Sequence, residues 1–215
     1  MLVISVAAVA SPLLSLVSTQ GVPGSTVNVA INYSTDTNLT GIQFDLLFNT
    51  NDLQWGPPIR GNALSDQFLG TNLIAPGQFR ILAISFVDTP ISNGVFVYMP
   101  FTIATNAPDH DEPLTFTNVS ATDAAAEAVT LPTTNGVLAV IVPPRISGIT
   151  PTNGGVMHLA LTGSPGRNYI IQAATNLTTP QWLSFSNVLS GGNPVFDDAT
   201  ISNVPVRLYR ALVVP

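Results

Sequence analysis

The chain has 215 residues, of which 46% are hydrophobic and 8% charged, with a formal net charge of −6. This composition excludes a disordered chain, which needs low hydrophobicity and high charge, and the acidic balance excludes nucleic acid as a partner, which needs a basic stripe. There is no cysteine and no lysine, and all six basic residues are arginine. Disulfides, thiol catalysis and zinc–thiolate sites are therefore excluded, and lysine is missing as a guard of exposed β-edges.

In chain order, residues 1–17 come first and are mostly apolar. Ala8-Val9-Ala10 has the small-residue form of a cleavage site, so a degenerate signal peptide is one reading. Pro12 interrupts the run, no stretch reaches the roughly 18 apolar residues of a membrane span, and the favoured reading is a β-strand. As a strand the run would span roughly 25 Å at about 3.3 Å per residue. Exposed in water it would aggregate, so Leu2, Val3, Ile4, Val6 and Val9 are expected to dock, on their own molecule or on a neighbour. Strand addition to another copy is an assembly mode of this kind, and a head-to-tail contact of that type grows into a homopolymer.

Period-two alternation then dominates. Val27, Val29, Ile31 and Tyr33 alternate with small and polar residues, as do Ile42, Phe44, Leu46 and Phe48. Further β-runs follow at residues 79–86, 95–103, 114–119 and 137–142, separated by Pro23-Gly24, Pro76-Gly77, Asn93-Gly94 and Asn135-Gly136. The pattern predicts an antiparallel sandwich with one face of each sheet buried. Residues 123–129 are expected to form one short turn of helix. Val142-Pro143-Pro144-Arg145 reads as a boundary, because two prolines neither donate to a ladder nor continue a strand. Shorter β-runs follow at 156–161, 169–174, 182–185, 194–196 and 207–213, enough for a small second sandwich. The expected organisation is an apolar strand or linker at 1–12, a main domain at 13–142 and a small β-sandwich at 143–215.

Several phrases carry a family resemblance. They are the Gly21–Val27 turn, "GIQFDLLFNTNDLQW" from Gly41 to Trp55, "GQFRILAISF", "GVFVYMPFTI" and the closing "NGVLAVIV". In order and spacing, residues 13–142 resemble a cohesin domain, the module that receives dockerins in cell-surface assemblies. The resemblance implies an all-β fold, a nine-stranded jelly-roll sandwich, and a non-enzymatic protein–protein assembly role in an extracellular or bacterial cell-surface setting. The partner it implies is dockerin-like; the apolar first strand makes copies of the chain itself the alternative. "GSPGRNYIIQAATNLTTPQW" and "VPVRLYRA" resemble a small β-module at the C-terminal end of large secreted bacterial proteins.

The candidate chemistry is sparse. His110 and His158 are the two histidines, and no Gly-x-Ser-x-Gly elbow, phosphate loop or His-Glu-x-x-His occurs, so no catalytic site is expected. The resemblance places partner contacts on the polar face of the 42–48 strand, with Asp45 a contact, Gln43 beside it, and Leu47 an apolar side chain on the same outward face. Asp109, Asp111 and Glu112 are candidate Ca²⁺ ligands, although Ca²⁺ takes six to eight oxygens and a solvated turn is the plainer reading. Asp197-Asp198 reads the same way, and no cofactor is otherwise expected. Trp55, Trp182, Tyr98 and Tyr33 are the aromatics a sugar platform would use, which leaves a carbohydrate-binding module as a further alternative.

Overall fold

A computed structural model describes residues 12–35, 37–152, 154–164, 166–189, 195–199 and 206–214. The expected assembly strand (Leu2, Val3, Ile4, Val6, Val9) lies outside them. The chain divides into two compact units, which meet in sequence between Val140 and Ile141.

The first unit runs through β1 (Leu13–Leu16), β2 (Thr19–Gly21), β3 (Thr26–Ser34), β4 (Leu39–Leu47), β5 (Leu53–Trp55), β6 (Ile59–Arg60) and β7 (Phe68–Ala75). It continues with β8 (Gln78–Ile84), β9 (Gly94–Ile103), β10 (His110–Asp123), β11 (Ala128–Val129), β12 (Thr133–Thr134) and β13 (Gly136–Val140). One sheet has the order β12-β1-β3-β9-β5 with β6 also on β9; the other has the order β2-β13-β10-β4-β8-β7 with β11 on β10. This is a jelly-roll β-sandwich. The alternating positions supply its core: Val29, Ile31 and Tyr33 from β3, Ile42, Phe44 and Leu46 from β4, and Phe79, Ile81 and Ala83 from β8 are all buried. Phe44 meets Phe116 of β10 edge-on at 5.1 Å and Phe96 of β9 at 5.9 Å, so one ring ties the two sheets together. Each buried Leu, Ile or Phe contributes roughly 1.5–3 kcal/mol of transfer free energy before the entropy of ordering the chain.

Two differences from the sequence reading have local causes. Residues 123–129 form a tight hairpin between β10 and β11 instead of a helical turn: Asp123 Oδ1 accepts from the N–H groups of Ala125 and Glu127, and Ala126 takes a positive φ of 60°. Short-range capping by Asp thus overrides the helix preference of an alanine-rich run. β7 was not visible as an alternating run, because as an edge strand it leaves Phe68, Leu73 and Ile74 substantially exposed.

The second unit comprises β14 (Arg145–Thr152), β15 (Val156–Thr162), β16 (Asn168–Ala174), β17 (Leu183–Leu189), β18 (Val195–Asp198) and β19 (Leu208–Val214). Its three-stranded sheets, β14-β15-β18 and β17-β16-β19, enclose Leu159, Leu161 and Ile171. The "GSPGRNY" phrase has a structural reason here. The Tyr169 hydroxyl donates to the Ser164 carbonyl at 3.0 Å, and a Cβ on Gly163 would lie 2.5 Å from that hydroxyl, so the glycine makes room for the tyrosine. No helix among the described residues is long and apolar enough to cross a membrane.

Candidate functional site

The outer face of β10, β4, β8 and β7 collects the side chains that point away from the core on four adjacent strands. Antiparallel registers set Asp45 of β4 opposite Arg80 of β8 and Thr117 of β10, and Gln43 opposite Leu82 and Ser120. The next strand adds Phe68 opposite Ile84 and Asn72 opposite Arg80.

Asp45 was expected as an exposed contact. Its direction is outward, but its side chain is 0% exposed because its neighbours cover it. Arg80 donates from Nε to Oδ1 at 2.6 Å and from Nη2 to Oδ2 at 2.9 Å, a bidentate fork. Gln78 Nε2 donates to Oδ2 at 2.8 Å and Asn118 Nδ2 at 2.7 Å. Asn118 reaches it from a bulge in β10, where the register shifts and Asn118 adopts a φ of 50°. The Arg80 fork, helped by the two amides and opposed by burial, holds the carboxyl at about 2. What this point of the surface presents is therefore Arg80, whose side chain is 34% exposed. Gln43 is half-buried beside it, and Leu47 is exposed.

The sequence reading missed the apolar part of the face. Phe68, Phe86 and Val87 are 53%, 78% and 72% exposed, and the Phe68 and Phe86 rings stand 6.2 Å apart. Phe86 had been assigned to the strand, whereas β8 ends at Ile84 and Phe86 lies in the following loop. That loop is tied from within. The Ser85 hydroxyl accepts from the N–H groups of Val87 and Thr89, and Thr89 Oγ1 donates to Asp66 at 2.8 Å. The fully buried Gln67 adds a brace, donating from Nε2 to the carbonyls of Thr89 and Pro90 while its Oε1 accepts from Ser65 N–H. Two large apolar side chains are thus held out into water by a rigid frame.

The acidic candidates separate. β10 alternation turns Asp111 to the exposed side and Glu112 inward, where Glu112 is buried. Among the described residues, the group that brings three metal-ligating atoms within 4.8 Å of one another is Asp52, His110 and Glu112; Asp109 and Asp111 are not part of it. The Pro108 carbonyl first, then Glu112 and Asp52, raise the His110 pKa against the opposing effect of burial. In the second unit Asp197 pairs with His158, while Asp198 forms an ion pair with Arg207 and accepts from Tyr209, whose hydroxyl burial pushes up to about 12.

The aromatic candidates are engaged elsewhere. Tyr33 is buried, Trp55 packs on Phe79 with centroids 4.1 Å apart, and Arg210 lies 4.2 Å over the Trp182 ring. Tyr98 is 36% exposed on the other sheet of the first unit. Within the first unit, Tyr33, Trp55 and Tyr98 make no shared flat platform.

The family model of the cohesin domain matches residues 13–140. Among solved structures, the chain is similar to a cohesin from Clostridium acetobutylicum, with a TM-score of 0.54 and 23% identity, covering 61% of this chain and 92% of that one. It is similar to the sixth cohesin of Acetivibrio cellulolyticus scaffoldin B, solved in complex with a Cel5 dockerin variant (TM-score 0.57, 19% identity, 61% of this chain and 99% of that one). It is also similar to a non-cellulosomal cohesin of the hyperthermophilic archaeon Archaeoglobus fulgidus (TM-score 0.55, 17% identity, 61% and 92%). At these identities the likeness speaks to the fold. No curated protein matches the chain.

Proposed function

The chain belongs to the cohesin domain family through residues 13–140, and from that premise we propose that it binds a dockerin-type protein partner through the outer face of β10-β4-β8-β7, at or outside the cell surface. Cohesins are non-catalytic protein–protein assembly modules, which supports that role for residues 13–140. The observation that carries the choice of face is the anchored loop. Exposed Phe86 and Val87 beside Phe68, with Leu47 on the same face and a single guanidinium at Arg80, form apolar anchors around a polar centre, the anatomy of a protein interface. A partner fitting it would offer an apolar surface and an acceptor for Arg80. The A. cellulolyticus relative was solved with a dockerin bound, which supports a partner of that type here.

The test is binding of the full chain to dockerins encoded in its own genome. Binding is expected for at least one, weakened tenfold or more by Phe86→Ser or Leu47→Ser and unchanged by Tyr98→Ser on the other sheet. No binding by any of them, or binding indifferent to the outer face, would sink the proposal.

A second reading, self-assembly by strand addition, is favoured by β7, the edge strand of its sheet among the described residues, which carries exposed Leu73 and Ile74 and no lysine. The full chain would then be oligomeric and a chain beginning at Ser11 monomeric in light scattering; two equally stable monomers would end that reading.

A further inference from the structure

We propose that Asp52, His110 and Glu112 form a binding site for a divalent transition metal of the zinc class. The three come from two places: Asp52 closes the turn that leads into β5, while His110 and Glu112 share the inward side at the start of β10. His110 Nε2 stands 3.0 Å from Glu112 Oε2 and 3.4 Å from Asp52 Oδ2. Ligand atoms around a tetrahedral Zn²⁺, with bonds of about 2.0–2.1 Å, stand about 3.3 Å apart. The two edges at His110 are already close to that spacing, and all three atoms lie within 4.8 Å of one another.

The tautomer makes the case stronger than proximity does. His110 Nδ1 lies 3.0 Å from the carbonyl oxygen of Pro108. A carbonyl only accepts, so Nδ1 carries the proton and donates. In the neutral ring Nε2 is then a bare lone pair, aimed at two carboxylates. A proton on Nε2 serves one of them, and Glu112 Oε2 is the nearer. Asp52 Oδ2 is left facing it with no hydrogen between them. A divalent cation at the centre serves all three atoms and cancels both negative charges.

The surroundings are those of a metal's outer shell, in which an imidazole donates its second nitrogen to a carbonyl and the carboxylates are themselves hydrogen-bonded. Glu112 Oε1 accepts from Asn49 N–H at 3.0 Å, and Asp52 Oδ2 accepts from Asn49 Nδ2 at 2.8 Å. The side chain of Glu112 is 5% exposed, whereas those of His110 and Asp52 are 32% and 15% exposed. A water therefore has access to the fourth position. One nitrogen and two carboxylate oxygens suit zinc rather than calcium, which asks for six to eight oxygens. The bound ion would clasp the turn before β5 to the first residues of β10, at one end of the sandwich.

The test is calorimetric titration of ZnCl₂ into the tag-free, chelator-treated full chain at pH 7.5, with CaCl₂ and MgCl₂ alongside and a thermal melt of each sample. Zinc is expected to bind one to one and to raise the melting temperature by about 5–10 °C at a hundredfold excess over Kd, with calcium and magnesium without effect. His110→Asn and Asp52→Asn, each verified as folded by its metal-free melt, are expected to lose at least tenfold in zinc affinity; His158→Asn is expected to bind as the parent does. Absence of saturable zinc binding overturns the proposal and leaves the cluster a set of hydrogen bonds within the protein. Binding that survives His110→Asn, or that disappears with His158→Asn, overturns it as well.

Discussion

Asp45 shows how one residue can set the character of a face without touching what binds there. Its carboxylate is covered, and its role is to fix Arg80, Gln78 and Asn118, drawn from two neighbouring strands. Because its folded pKa of about 2 lies below the unfolded 3.8, the linkage has a definite sign. The stabilisation is fully present above the unfolded value and disappears as pH falls from about 4 through about 2. Melting temperatures followed against pH should show Asp45→Asn less stable than the parent at pH 7, by about 1–3 kcal/mol, with the gap closing below pH 4. A gap that stays constant down to pH 2 would refute this. Asp45 was legible as an outward-pointing residue from the alternation of β4, but its burial was not. Nothing local in the sequence announces that Arg80 and Asn118 lie across it, since the β4–β8 and β4–β10 registers decide that. Gly61 is a second residue whose role only the packing reveals. A Cβ there would lie 1.9 Å from the Val95 carbonyl oxygen, and backbone has nowhere to go. Gly61→Ala is expected to cost about 3 kcal/mol or more, read as a lower urea midpoint.

Among the elements, the strands with clean alternation were the legible ones, because a half-buried strand writes its burial into its sequence. β3 and β8 satisfy that condition, while β4 alternates in residue type but is covered along most of its outward side as well. β10 satisfies it only in part. Its 14 residues read as a shorter run because the Asn118 bulge resets which side chains face inward. Of the Asp52–His110–Glu112 cluster, Glu112 was legible as a candidate ligand and Asp52 was not, because tertiary pairing brings a distant turn to the start of β10. The loop after β8 behaves as an element in its own right. Ser85→Ala removes the acceptor for two backbone N–H groups, and should cost about 1 kcal/mol. Faster amide exchange at Val87 and Thr89, with β8 still protected, would be its signature; unchanged exchange at both would show that the hydroxyl does not hold the loop.

For the molecule as a whole, the two units differ in what holds them. The first buries a continuous core fed by both of its sheets, while the described core cluster of the second contains Leu159, Leu161 and Ile171, with Tyr169 also fully buried. Small cores give marginal stability. Scanning calorimetry is therefore expected to resolve two transitions, the smaller and earlier one absent from a chain ending at Val142. A single transition in the full chain would contradict this. Charge divides as unevenly as the core. The first unit holds ten carboxylates against two arginines, a formal −8, and the second holds two against four, a formal +2.

The internal ties of the loop that presents Phe86 and Val87 have a consequence for how fast partners come and go. A loop fixed beforehand has little ordering entropy left to lose on association. Encounter should then resemble rigid-body docking, with little difference between free and bound backbone. Substitutions on this face would lengthen or shorten the lifetime of the complex while leaving its rate of formation nearly constant. Apolar burial at the two phenylalanines would register as a negative heat-capacity change on binding.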